Sequence, residues 1–308
     1  MPETGEKMKN RYLKVLGILA TIGIFVVILA GVVVTRTGSG DGCGPNWPLC
    51  HGKLFPDNPT FETVVEYTHR LVTGIVGLLV ISFTIIAAYV FRKNKEVIFA
   101  AVGSLFFLIL QSALGALAVV FGQSAAVMAL HFGFSLLSYA FVFILTVFVF
   151  HLSRRNQLPT APFSYGLKWA VLGLFILSYV VVYLGALVTH TSAQGGCVGW
   201  PLCNGRIIPA EWTTITIIHF VHRLSALLLL LATALLMWRA KQLNWEQTLF
   251  YRITQALFLM VIAQVLSGGL LVYTNFNLYA GIFHTFFITL MFGLLCYTVL
   301  YAFRRHHA

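Results

Sequence analysis

The chain has 308 residues, 59% of them hydrophobic and only 9% charged, with a mean hydropathy of +0.87 and a net charge of +11. A soluble domain carries about a quarter charged residues, so a soluble protein is excluded and a polytopic membrane protein is expected. The basic excess then reads as a topology signal and not as an affinity for nucleic acid.

Spans follow from the gaps between charges, at about 20 residues per crossing. The gap from Lys14 to Arg36 holds a first helix, 13–35, and the loop after it, 36–63, carries Cys43 and Trp47-Pro48-Leu49-Cys50. A second helix, 64–91, carries Glu66, His69 and Arg70. The stretch from Glu96 to Arg154 is too long for one crossing, so it divides into helices 97–121 and 127–151, turning at Gly122-Gln123-Ser124, with His131 on the second. Helix 166–189 leads to another long loop, 190–213, with Cys197 and Trp200-Pro201-Leu202-Cys203. Helix 214–239 bears His222 and Arg223; helices 248–274 and 279–303 turn at Thr274-Asn275-Phe276-Asn277, and the last bears His284. The expected fold is therefore all-α with eight transmembrane helices. No cleavable signal peptide is expected, because the first apolar run is too long and no small-residue cleavage site follows it.

With both termini inside, fifteen of the 20 basic residues fall on the cytoplasmic side, Lys7, Lys9, Arg154, Arg155 and Arg305 among them. The other five, Arg36, Lys53, Arg70, Arg206 and Arg223, fall outside. This asymmetry sets the orientation. The loops 36–63 and 190–213 then both lie outside, and they are long enough to form a structured cap.

The sequence also says one sentence twice. Gly31, Thr35, Thr37 and Cys43 return 154 residues later as Gly185, Thr189, Thr191 and Cys197. From the loop tryptophan onward the offset is 153: Trp47-Pro48-Leu49-Cys50, His69-Arg70, Gln111, Gly115 and His131 return as Trp200-Pro201-Leu202-Cys203, His222-Arg223, Gln264, Gly268 and His284. Two halves, 1–155 and 156–308, thus share one architecture. Each has an even number of helices, so both run in the same direction and the implied pseudo-twofold lies along the membrane normal.

Four intramembrane histidines at equivalent depth are the first chemical signal, since ionisable groups there are costly and usually functional. Two imidazoles at one level in a four-helix core suit axial ligation of a heme iron. The competing reading is interhelical hydrogen bonding; zinc lacks a third and fourth ligand inside the membrane. His51, His151, His190, His306 and His307 read as solvated or snorkelling.

The copies differ at one telling position. Glu66, three residues before His69, is replaced in the second copy by His219. A carboxylate beside a heme could exchange protons; the bland alternative is a glutamate favoured by the helix dipole. The asymmetry points to chemistry in one half and a permanent cofactor in the other. Arg70 and Arg223 suit either heme propionates or snorkelling to headgroups. The pairs Cys43/Cys50 and Cys197/Cys203 lie on the oxidising side and read as two disulfides, structural or redox-active. Cys296 reads as packing.

Glu66-Tyr67-x-His69-Arg70, the Cys43…Trp47-Pro48-Leu49-Cys50 loop, Gly115-Ala116-Leu117 and His131 together resemble the heme A synthase family, of the Gram-positive bacterial type. The similarity runs through all eight helices. It implies two pseudo-twofold-related four-helix bundles in the cell membrane, and an enzyme that oxidises the C8 methyl of heme O to a formyl group. Two hydroxylations would give a geminal diol that loses water. It further implies that His69 and His131 bind the substrate heme, that His222 and His284 ligate a heme b, and that Glu66 is the catalytic acid/base. Cys43 and Cys50 would be the pair tied to activity, and heme O synthase (a protoheme farnesyltransferase) a partner. The alternative is a di-heme b electron carrier or quinol oxidoreductase, which paired histidines alone would suit equally. A transporter is disfavoured, since no broken helix or midplane charge occurs.

Overall fold

The computed structural model describes residues 2–153, 163–243 and 248–304, with side chains from Arg11 onward. Arg154, Arg155, Arg305, His306, His307, the 155/156 boundary and the side chains of Lys7 and Lys9 lie outside the described residues. Among those described there are eight long helices and no strands: α1 Pro2–Arg36, α2 Phe61–Val90, α3 Lys95–Phe121, α4 Ala125–Ser153, α5 Tyr165–His190, α6 Thr214–Gln242, α7 Leu249–Tyr273 and α8 Leu278–Phe303. All eight are long and apolar enough to cross a membrane. The protein is a multi-pass membrane protein, and its surface agrees: Leu78, Ile109, Leu231 and Leu259 are exposed, a distribution that suits lipid and not water.

The helix starts are set by side chains. Thr60, Asn94, Ser164, Thr213, Thr248 and Asn277 each cap a helix by accepting a backbone N–H two or three residues on, and Ser124 Oγ does the same for Val127 N at 3.3 Å. These caps satisfy donors that the first helical turn leaves open. They also explain why α2 starts at Phe61 and not at 64: the Thr60 hydroxyl accepts from Thr63 N at 3.3 Å.

The chain forms two compact units, Met1–Gln123 with Phe134–Leu158, and Ser124–Gly133 with Pro159–Ala308. In the first, α2 packs on α1 and α3. Gly17 lets α4 approach α1: Thr146 Oγ1 donates to the Gly17 carbonyl at 3.1 Å and meets Thr21 Oγ1 at 2.9 Å. Phe107 joins α3 to α4, stacking on Phe141 at 5.4 Å. In the second unit α5 packs on α6 and α8, and α7 on α6 and α8. Phe175 and Tyr179 of α5 meet Phe292 at 5.7 and 6.1 Å. The α4 and α8 spans are the most enclosed, 61% and 56% buried against 22–39% for the others.

Both cysteine loops fold in the same way. Cys43–Cys50 and Cys197–Cys203 are bonded, each with a Cα–Cα distance of 4.5 Å. Next to each lies a two-residue hairpin: Cys50 and Lys53 exchange backbone bonds at 2.9 and 3.0 Å, as do Cys203 and Arg206. The residues between them, His51-Gly52 and Asn204-Gly205, all have positive φ, which such a turn requires. The loops then press onto the starts of α2 and α6. A Cβ on Gly42 would stand 2.4 Å from the Glu62 carbonyl, and one on Gly196 would stand 2.3 Å from the Ile215 carbonyl.

This contact is testable with adjacent glycines. Gly196→Ala must move loop or helix backbone and should cost about 1–3 kcal/mol, whereas Gly195→Ala meets nothing within 4 Å and should be near neutral. Thermal unfolding of the detergent-solubilised protein compares them. Equal midpoints would contradict the close approach.

Candidate functional site

The arginine after each α2 and α6 histidine holds its cysteine loop from below. Arg70 Nη1 donates to the Asn46 and Leu49 carbonyls, both at 2.7 Å. Arg223 Nη1 donates to the equivalent Gly199 and Leu202 carbonyls at 2.8 and 2.9 Å. Sequence reasoning weighed propionates and headgroups for these arginines and missed this role. Backbone carbonyls carry no residue-type signature, so only the matched spacing from loop to arginine in the two copies could have hinted at it.

The remaining guanidinium contacts follow the Glu66/His219 difference. Arg70 donates from Nε and Nη2 to Glu66 Oε1, the former at 3.0 Å. Glu66 Oε2 accepts from the Cys43 N–H at 2.7 Å. One buried carboxylate, 3% exposed, thus links the first disulfide to Arg70. In the second unit His219 stands where the carboxylate would be, and Arg223 Nη2 donates directly to the Cys197 carbonyl at 2.8 Å. A guanidinium has five N–H donors; Arg223 Nε is buried with no hydrogen-bond partner. His219 is 3% exposed and packs edge-on to Phe276, with ring centroids 6.1 Å apart.

The histidines are half-buried, and three lie against helix glycines. A Cβ on Gly31 of α1 would stand 3.6 Å from His69 Cε1, one on Gly185 of α5 would stand 2.8 Å from His222 Cε1, and one on Gly268 of α7 would stand 3.4 Å from His284 Cε1. His222 Nδ1 is buried with no hydrogen-bond partner. His284 has Ser267 Oγ at 2.9 Å from Nδ1 and Gln264 Nε2 at 3.0 Å from Nε2. His131 lies on α4 within Ser124–Gly133, the segment grouped with the second unit, and His69 lies in the first. An imidazole seated on glycine, with a buried nitrogen left open, is chemistry a heme iron can use. Among the described residues no cluster of three or more His, Cys, Asp or Glu gathers as for a bare metal ion. His51, expected to be solvated, is exposed, and its Nε2 also bonds to the Gly42 carbonyl at 3.0 Å.

Known proteins are similar to this chain over nearly their whole length. The family model for COX15-CtaA, cytochrome oxidase assembly protein, matches residues 14–296. "Heme A synthase" of Shouchella clausii is 45% identical over 301 residues, covering 97% of this chain and 99% of that protein. "Heme A synthase" of Geobacillus kaustophilus is 39% identical over 303 residues, covering 97% and 94%. The protein of the same name from Alkalihalophilus pseudofirmus is 38% identical over 299 residues, covering 97% and 100%. Likeness of this extent leaves one assignment: the chain belongs to the COX15-CtaA family of cytochrome oxidase assembly proteins.

Proposed function

We propose that this chain is a heme A synthase that oxidises the C8 methyl of heme O to a formyl group. The observation that carries the reading is the duplicated histidine framework with a carboxylate in one copy only, in a chain similar over nearly its full length to proteins of that name. The resemblance assigns His69 and His131 to heme O. It assigns His222 and His284 to a resident heme b, which would supply one-electron chemistry when bound. The Gly185 cradle and the open Nδ1 of His222 support that second assignment. Expression beside a source of heme O, followed by chromatography of extracted hemes, tests the reaction. Heme A should appear with the wild-type chain; two b hemes and no new porphyrin would point instead to an electron carrier.

Glu66 is the proposed proton-handling group. Successive hydroxylation and loss of water all require proton movement at the substrate, and the second copy has no carboxylate at this position. Arg70 keeps the carboxylate within reach of a cation, and the Cys43 N–H fixes its direction. Arg223 Nε, buried and open, is a donor suited to a propionate. Heme O synthase, the protoheme farnesyltransferase that supplies heme O, is the proposed partner. The location proposed is the cell membrane with both termini cytoplasmic, on the asymmetry of basic residues.

Two predictions separate chemistry from stapling. Glu66→Gln retains one acceptor where the carboxylate uses two, so it should weaken the loop contact by about 1–3 kcal/mol. Arg70→Gln breaks the same ion pair and leaves the carboxylate. If Glu66 handles protons, heme A per folded molecule should fall about 10²-fold or more in Glu66→Gln and much less in Arg70→Gln. Parallel losses would reduce Glu66 to a staple. The second concerns the cysteines. Removing Cys43 and Cys50 by Ala substitution loosens the segment whose N–H orients Glu66, whereas removing Cys197 and Cys203 does not. At similar loss of thermal stability, the first double variant should form less heme A. Equal product loss would count against coupling between that disulfide and Glu66.

A further inference from the structure

We infer that Ser267 is a positioning residue for iron ligation: it fixes the tautomer of His284 and strengthens that histidine as a donor. The inference rests on the reading of His284 as an iron ligand. Ser267, on α7, is 5% exposed. Its hydroxyl donates to the Gln264 carbonyl at 2.9 Å and lies 2.9 Å from His284 Nδ1. A serine hydroxyl has one proton. That proton goes to a carbonyl, which can only accept, so Oγ must accept from the imidazole. His284 therefore carries its proton on Nδ1 and its lone pair on Nε2. The Gln264 side-chain amide, 3.0 Å from Nε2, would yield that nitrogen to the metal.

Nε2 is thus the metal-binding nitrogen, and the bond from Nδ1–H into Ser267 raises its basicity, as outer partners of ligating histidines do. The other copy lacks the serine. At the register of Ser267 the first half has Leu114, whose side chain can neither donate nor accept. The glutamine is retained as Gln111, whose Nε2 donates to Ser112 Oγ at 3.1 Å and whose Oε1 accepts from Ser135 Oγ at 3.3 Å. Ile288 replaces Ser135 in the second half. The serine therefore stands in the half assigned to a resident heme and is missing where product must leave. A ligand strengthened from behind holds its iron longer, which suits retention and opposes release.

The test uses the full-length protein purified with its heme, as wild type, Ser267→Ala, Ser267→Thr and His284→Ala. Reduced-minus-oxidised spectra, redox midpoint and the rate of heme transfer to apomyoglobin are read for each. Ser267→Ala should lose b-type heme about 10–100-fold faster, the usual effect of removing such a partner. Weaker donation to iron disfavours the ferric state, so its midpoint should rise, by about 59 mV for each tenfold shift between the ferric and ferrous affinities. Ser267→Thr, which keeps the hydroxyl, should restore both. Wild-type midpoint and transfer rate in Ser267→Ala would overturn the inference. So would a loss that Ser267→Thr fails to restore, which would mark a packing effect. An undiminished b-type signal in His284→Ala would instead overturn the ligand reading beneath it.

Discussion

Hydrocarbon offers no hydrogen bonds, so a polar side chain on a transmembrane helix that the protein leaves unsatisfied is costly. Four of the helix threonines take the cheapest route. Thr21, Thr233, Thr289 and Thr298 donate to the carbonyl four residues back on their own helix. Charged groups have no such option. Arg70 and Arg223 sit where α2 and α6 meet the cysteine loops, and loop carbonyls supply their acceptors. The loops are therefore fixed twice, covalently by the disulfide and electrostatically by the arginine beneath. Gly42 and Gly196 have no Cβ because backbone meets backbone there. One constraint thus connects the fold of the loops to the depth of the histidines, since each arginine directly follows its histidine.

Against that common frame, the few departures between the copies carry the functional information. Loop hairpin, disulfide, arginine and glycine seat all recur, so none of them can explain why one copy would do chemistry and the other hold a cofactor. Glu66 against His219 changes what neutralises the arginine. Leu114 against Ser267 changes whether a hydroxyl is present at that register. The two substitutions stand in opposite halves, one at the proposed proton carrier and the other at the proposed support for a ligand. A duplicated scaffold specialises in this way with few changes, because the costly parts are inherited intact by both copies.

Much of this was legible in the sequence. The apolar gaps between charges located eight helices, and the repeat located the cysteine pairs and the histidines. Helix starts were misread by a few residues at α2, α3 and α4, where Thr60, Asn94 and Ser124 act as caps lying outside the apolar pattern that defined the spans. The arginine-to-carbonyl bonds were not legible, because an acceptor on the main chain leaves no trace in residue type. Ser267 was legible only in part. The copies visibly differ there, but a serine among many in apolar helices gains meaning only when α7 and α8 bring it to Nδ1 across a separation of 17 residues.

The two loops also differ in what holds them besides the arginine. Trp200 lies on α7, where a Cβ on Gly269 would stand 2.9 Å from the indole, and Tyr273 Oη donates to the Trp200 carbonyl at 2.7 Å. The second loop is thus clamped to its own unit by a ring and a hydrogen bond. In the first half the corresponding positions are Ala116 and Val120, which offer neither a flat seat nor a donor, and Trp47 is 52% exposed. What the first loop has instead is Glu66, which takes the Cys43 N–H and the Arg70 guanidinium together. The same carboxylate therefore serves loop retention and the proposed proton transfer. Any movement of that loop must change the hydrogen bonding of the group that handles the proton, whereas the second loop has no such link to its chemistry.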